Sequence, residues 1–120
     1  MALTDNVCSL VPYFTVQEGK LDEFKALGEQ MVEKTTSESD VVYYGFSFNG
    51  QKAHCREAYT SAKGILAHLE NVDGLLKQAL AIASLDLLEI HGPAAELEQL
   101  KEPLSGLNPS YFVMETGFRR

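Results

Sequence analysis

Hydrophobic and polar residues alternate along the chain with two periods, one typical of strands and one typical of helices. Residues 8–16 are rich in β-branched and aromatic side chains and predict a first strand, which Pro12 begins or interrupts. In residues 21–35 apolar side chains recur at steps of three and four, which predicts an amphipathic helix. Residues 35–40 form a polar connector.

A hairpin is predicted next, because Asn49-Gly50 lies between the aromatic stretches 41–48 and 51–59. This dipeptide tolerates positive φ and suits a two-residue turn. We expect Phe48 to face Gln51. The period of two then predicts one largely apolar face formed by Val42, Tyr44, Phe46, Cys55, Glu57 and Tyr59.

Beyond the hairpin the pattern predicts three helices and two strands. Ser61 can cap a helix that reaches about Glu70, and residues 71–74 break it before a second short helix. The remaining predicted elements are a strand over 85–90, an acidic helix over 94–101 and a last strand over 111–118.

This order of elements predicts a ferredoxin-like α+β fold, an antiparallel sheet with helices on one face. At 120 residues the chain is expected to form a single domain. The second face of the sheet carries Tyr43 and other bulky groups, and a sheet with two non-polar faces needs a second cover. We therefore expect a homodimer that packs sheet against sheet.

Charge and composition exclude several partners. A net charge of −7 opposes binding to nucleic acid, and no apolar run is long enough to span a membrane. The N-terminus has no secretory pattern, so we expect a cytoplasmic protein with free thiols at Cys8 and Cys55. The three histidines are 14 and 23 residues apart and the glycines are dispersed, so neither a metal nor an organic cofactor is implied.

Glu57, Tyr59 and His68 are the candidate catalytic residues. Glu57 lies on the predicted apolar face, so its carboxyl needs a partner or a raised pKa, and His68 is within reach in the next helix. Two interpretations stay open. Either the Glu57–His68 pair only joins strand to helix, or His68 is a general base whose orientation and basicity Glu57 sets.

Tyr44 and Cys55 are the candidate substrate-binding residues. Tyr44 and Tyr59 either line an aromatic pocket and hydrogen-bond a substrate oxygen, or belong to an ordinary core. No cation near Cys55 is evident to lower its pKa, so a packing role is favoured over a nucleophilic one. We expect His54 at the inter-subunit face or near the hairpin tip, and His91 at an exposed strand end.

The order of elements and three local patterns resemble the antibiotic biosynthesis monooxygenase-like domains of the dimeric α+β barrel superfamily. These patterns are residues 19–24 at the start of the first helix, Glu57-Ala58-Tyr59 at the end of the third strand, and Ala67-His68 in the next helix. The resemblance covers residues 8–92 and leaves 93–120 as a C-terminal extension.

The resemblance implies a cofactor-independent monooxygenase-type enzyme that acts on a small aromatic or quinone-like compound. The alternatives are a small-molecule isomerase and a non-catalytic dimeric module that binds a metabolite or serves a stress or accessory role. Haem degradation is disfavoured, because haem-degrading members have tryptophan at the position of Tyr59, histidine near Gln78 and asparagine near Pro12. Asp73 stands where many members have a second histidine, which argues against a two-histidine mechanism.

Overall fold

The computed structural model describes residues 2–120, which form one five-stranded sheet with helices on one face. Its elements are β1 (Cys8–Val16), α1 (Leu21–Thr35), β2 (Val41–Asn49), β3 (Lys52–Tyr59), α2 (Ala62–Asn71), α3 (Asp73–Ile82), β4 (Ala83–Gly92), α4 (Ala94–Glu98), a 3-10 helix (Ser105–Leu107) and β5 (Ser110–Val113). The strand order is β2-β3-β1-β4-β5, and all neighbours are antiparallel except β4 and β5. The predicted ferredoxin-like α+β fold is confirmed.

The central strand β1 contains a proline in its interior. The ladder to β3 has pairs at Leu10 and Tyr13 and is interrupted at the two residues between them. On the other side the register with β4 shifts between Tyr13 and Phe14. Pro12 has no N–H to donate, so a break in one ladder and a bulge in the other accommodate it.

The hairpin turn lies one residue later than predicted. Asn49 pairs with Lys52, and the turn residues are Gly50-Gln51, with Gly50 at a φ of 59°. Tyr44 consequently faces Glu57 rather than Cys55, and the predicted register was wrong by two residues. A register shift of two residues leaves each side chain on the same face of the sheet, so most of the predicted apolar face is observed.

Val42 is the exception to that face. A bulge between Val41 and Tyr43 shifts the pairing with β3, and Val42 is 37% exposed. Val41 packs against the buried core in its place. The strict alternation used for the prediction does not extend past a bulge.

The helices bury their apolar side chains against this face of the sheet. In α1 the buried residues include Phe24, Leu27 and Met31, as predicted, whereas Val32 is 36% exposed. Ser61 is the N-cap of α2, although its side chain makes no capping hydrogen bond. A Cβ at Gly64 would lie 2.9 Å from the Cβ of Tyr59, so glycine at this position lets α2 lie directly against the end of β3.

The C-terminal extension differs most from prediction. Helix α4 ends at Glu98 rather than at residue 101, and β5 is four residues long and parallel to β4. Leu97 and Leu100 are buried as expected. The Glu96 carboxylate accepts a hydrogen bond from the Ala62 N–H at 2.9 Å and so ties the extension to the start of α2.

Across residues 2–120, the helices are too short or too polar to cross a membrane.

Candidate active site

A cavity of about 50 Å³ lies between the sheet and the helices. Both hydrophobic clusters of the core contribute to its walls, from Leu10 and Leu88 at one end to Phe24 and Met31 at the other. Its polar lining consists of Tyr44, Cys55, Glu57 and His68. Among the lining residues of the described chain none is Lys or Arg, so Glu57 faces an apolar space without a cation beside it.

Strand β3 directs Glu57 into this space. The Glu57 side chain is 4% exposed, and the Tyr59 hydroxyl donates a hydrogen bond to its Oε1 at 2.5 Å. Tyr59 is fully buried and does not line the cavity. Its position is therefore that of a residue that holds Glu57, not of one that touches a ligand.

Helix α2 places His68 between two carboxyl groups. Its Nδ1 lies 2.9 Å from Oε2 of Glu38, and its Nε2 lies 3.6 Å from Oε1 of Glu57. The first distance is that of a hydrogen bond and the second is too long for one. Glu38, and not Glu57 as predicted, therefore orients the imidazole.

Two residues of this cluster were missed by sequence reasoning. Glu38 comes from the polar connector between α1 and β2, and Asn71 from the last turn of α2. The Asn71 Nδ2 donates to Oε2 of Glu38 at 2.9 Å and to the carbonyl oxygen of Lys34 at 3.1 Å. Neither belongs to a recognisable motif, since only the folded connector brings Glu38 to a histidine thirty residues away in sequence.

Tyr44 presents a hydroxyl that has only weak partners. It lies 3.9 Å from the Met31 sulfur and also interacts with the Cys55 thiol, and sulfur atoms accept hydrogen bonds poorly. Burial is the main cause that raises the pKa of Tyr44, so the phenol stays protonated. A substrate oxygen in the cavity would be a better acceptor for it than the sulfur.

Cys55 is a buried free thiol on the same face. Burial raises its pKa, and the charge of Glu57 raises it further. The thiol is therefore protonated and a poor nucleophile, in line with a packing role.

Comparison with known proteins identifies the family. No protein-family model and no curated protein matches the chain. Candidate antibiotic biosynthesis monooxygenases from Nitrosomonas europaea and Caulobacter crescentus share the fold, with TM-scores of 0.69 and 0.65 at 16% and 15% identity. The alignments cover 78% and 72% of this chain, and 96% and 88% of those chains.

A much stronger likeness is to the crystal structure of MupZ from Pseudomonas fluorescens. It is 43% identical, with a TM-score of 0.92 over 98% of this chain and 91% of that one. The chain belongs to the same family as MupZ, and it has the fold of the antibiotic biosynthesis monooxygenase-like proteins. The resemblance seen in the sequence is thus confirmed, and the alignment with MupZ includes the C-terminal extension.

Burial shifts the pKa values of Glu57 and His68 in opposite directions. Burial raises the pKa of Glu57 to about 7, hydrogen bonds from Tyr59 and Cys55 oppose the rise, and the charge of Glu38 adds to it. Burial lowers the pKa of His68, while Glu38 opposes that change. Near neutral pH the imidazole is neutral and the carboxyl titrates.

The structure brings all five predicted site residues to one place, and their catalytic and binding roles stay predictions. His54 lies on the opposite sheet face, stacked on Tyr13 with ring centroids 4.4 Å apart. His91 is not simply exposed as expected: it pairs with Glu89 at 2.9 Å and stacks on Phe112 at 4.7 Å.

Within residues 2–120 no three His, Cys, Asp or Glu side chains are grouped as ligands of one ion.

The raised pKa of Glu57 makes stability depend on pH. Its folded pKa of about 7 exceeds the ordinary value of 4.5, so the folded state binds the proton more tightly than the unfolded state. This contribution is complete below about pH 4.5 and is lost as the pH rises through 7. The Glu57→Gln variant is neutral at every pH. The unfolding free energy of the wild type, minus that of the variant, should fall by about 3 kcal/mol over this range.

Urea unfolding of both proteins at a series of pH values measures this difference. Glu70→Gln, which neutralises an exposed carboxylate on α2, is the control and should show a nearly constant difference. A constant difference for Glu57→Gln as well would contradict the raised pKa.

Proposed function

We propose that the protein is a cofactor-independent enzyme in which Glu57 moves a proton of a small aromatic or quinone-like substrate. One observation carries the proposal: a buried carboxyl whose pKa is about 7 lines an apolar cavity. General acid–base catalysis is most effective when the catalytic pKa lies near the working pH.

The proposed reaction is monooxygenation of an electron-rich ring. Glu57 takes the proton of a phenol or hydroquinone, and the resulting anion supplies the electrons that reduce oxygen. One oxygen atom bonds to a ring carbon, and the O–O bond then breaks as that carbon loses its proton and becomes a quinone carbonyl. The other oxygen leaves as water with this proton and the phenolic proton. The protein supplies the base and an apolar site from which water is excluded.

Tyr44 and Tyr59 have separate tasks in this scheme. The Tyr44 hydroxyl, whose partners in the cavity are sulfur atoms, donates to the substrate oxygen and orients it. The Tyr59 hydroxyl keeps the Glu57 carboxyl in place through its 2.5 Å hydrogen bond. Tyr59 thus acts as a positioning residue.

The size of the cavity requires side chains to move when a substrate binds. About 50 Å³ holds a few water molecules, whereas benzene needs an apolar cavity of roughly 150 Å³. Met31 and Leu107 both line the space, and methionine adapts readily to new shapes. Leu107 lies in the 3-10 helix of the extension, whose displacement would widen the cavity.

A second candidate function is isomerisation by proton transfer. A carboxyl with a pKa of about 7 is present in both protonation states near neutral pH, so it can remove a proton from one carbon and return it to another. This reaction consumes no oxygen.

Oxygen uptake with a panel of hydroquinones and phenols tests the first candidate. We expect uptake above background for at least one compound, and Glu57→Gln should lower the rate by about 10²–10⁴-fold, the usual contribution of a general base. Glu70→Gln should match the wild type, because Glu70 is exposed on α2 and lies outside the cavity lining.

Three other outcomes are informative. Exchange of substrate hydrogen with deuterium from the solvent, without oxygen uptake, would favour the isomerase. Ligand binding without either reaction would identify a binding module. Equal uptake by Glu57→Gln and the wild type would contradict the role of Glu57.

We also propose that the chain forms a homodimer through the face of the sheet that the helices leave open. This face carries Tyr43 stacked under Arg56, Tyr13 against His54, and the exposed Leu87. Tyr13, Tyr43 and Leu87 are each at least 40% exposed. Such an apolar surface across neighbouring strands is typical of a protein interface.

Light scattering after size exclusion tests the dimer. The wild type should have twice the chain mass of 13.2 kDa, and Leu87→Lys should be monomeric because it would bury a charge in the interface. Val32→Lys changes a side chain of similar exposure on α1 and should stay dimeric. A wild type of 13.2 kDa at micromolar concentration would contradict the proposal.

A further inference from the structure

We propose that Glu38 is a positioning residue that fixes the tautomer of His68 and thereby keeps the proton of the site on Glu57. The three side chains form a line in which His68 separates the two carboxyl groups, at 2.9 Å from Glu38 and 3.6 Å from Glu57. The catalytic meaning of this inference rests on the proposed function, but its test does not require a substrate.

Glu38 determines which ring nitrogen of His68 carries the hydrogen. An ionised carboxylate can only accept hydrogen bonds, so the His68 nitrogen 2.9 Å from Glu38 must carry the hydrogen. Asn71 donates to the same oxygen of Glu38 at 2.9 Å, which is consistent with an acceptor there. His68 is 2% exposed, and burial disfavours the doubly protonated ring. A neutral imidazole with its hydrogen on Nδ1 has a bare lone pair on Nε2.

The Nε2 atom of His68 faces the carboxyl group of Glu57. Oε1 of Glu57 lies 3.6 Å from Nε2. If Glu57 were ionised, a lone pair of its carboxylate would face the lone pair of Nε2 in an apolar space. At 3.6 Å the two atoms make no hydrogen bond, but protonation of Glu57 removes the repulsion between its negative charge and the Nε2 lone pair. The geometry therefore favours the protonated carboxyl, independently of the cost of burying its charge.

The other groups around His68 do not change this conclusion. Tyr59 already directs its hydroxyl to Glu57, Tyr44 packs its ring against the imidazole at 4.8 Å, and Cys55 is a protonated thiol. From its own helix, Asn71 contacts Glu38 rather than Glu57. Glu38 is thus the group that selects the tautomer.

Removal of Glu38 should move the His68 hydrogen from Nδ1 to Nε2. Without an acceptor at Nδ1, His68 can carry its hydrogen on Nε2, and a small movement of the ring would close the 3.6 Å gap and let Nε2 donate to the Glu57 carboxylate. That hydrogen bond stabilises the ionised form, so Glu57 should lose its proton at a lower pH. Glu57 would then be ionised over a wider pH range, but it would be a weaker base than in the wild type.

Nitrogen-15 NMR of the full-length chain reads the tautomer directly. At pH 7 we expect the His68 hydrogen on Nδ1 in the wild type and on Nε2 in Glu38→Ala. Glu38→Gln should keep it on Nδ1, because the donation from Asn71 holds the amide oxygen at the same place. Glu33→Gln, which removes an exposed charge from α1, is the control and should match the wild type.

The infrared band of the protonated Glu57 carboxyl, identified by its loss in Glu57→Gln, gives a second measurement. Its pH midpoint should be lower in Glu38→Ala than in Glu38→Gln, which also loses the charge of Glu38 but keeps the His68 hydrogen on Nδ1. A wild-type His68 with its hydrogen on Nε2 or on both nitrogens would overturn the inference, and this reading does not depend on whether Glu38→Ala folds. Equal midpoints in the two variants would also overturn it. Because neither spectrum involves a substrate, a lack of turnover would count only against the proposed function.

Discussion

Burial of the Glu57 carboxyl is the constraint on which the site depends. An ionised carboxylate on the covered face of a sheet has a high desolvation cost, so the group must be either neutral or hydrogen-bonded. Tyr59 satisfies one of its oxygens, and the surrounding walls are apolar apart from Tyr44, Cys55 and His68. The result is a group that titrates near neutral pH in a place that excludes bulk water.

The backbone arrangement that buries Glu57 also brings it to its partners. Glycine at position 64 permits α2 to lie against the end of β3, and this contact sets His68 over the strand. The connector before β2 then passes close enough for Glu38 to reach the imidazole. The network therefore joins three segments of the chain, and a change in any of them would alter the environment of one carboxyl.

The sheet alternation made most of the site predictable from sequence. The hairpin register was wrong by two residues, yet Glu57 and Tyr59 were placed on the correct face, because an even shift leaves the alternation intact. Val42 was misplaced because a bulge is not visible in a hydrophobic pattern. Glu38 was missed for a different reason: its partner is set by the path of a loop, which no local propensity encodes. The ends of α4 and β5 depended in the same way on tertiary packing.

Family membership explains the fold of this chain better than its reaction. A fold supports many chemistries, and only the titratable groups in the cavity distinguish among them. Here those groups favour proton transfer by a carboxyl, with the histidine in a supporting role. Direct titration of Glu57 by carbon-13 NMR of the side-chain carboxyl tests this account most directly. We expect a midpoint near pH 7, as burial implies, whereas a midpoint at the ordinary value of 4.5 would contradict it.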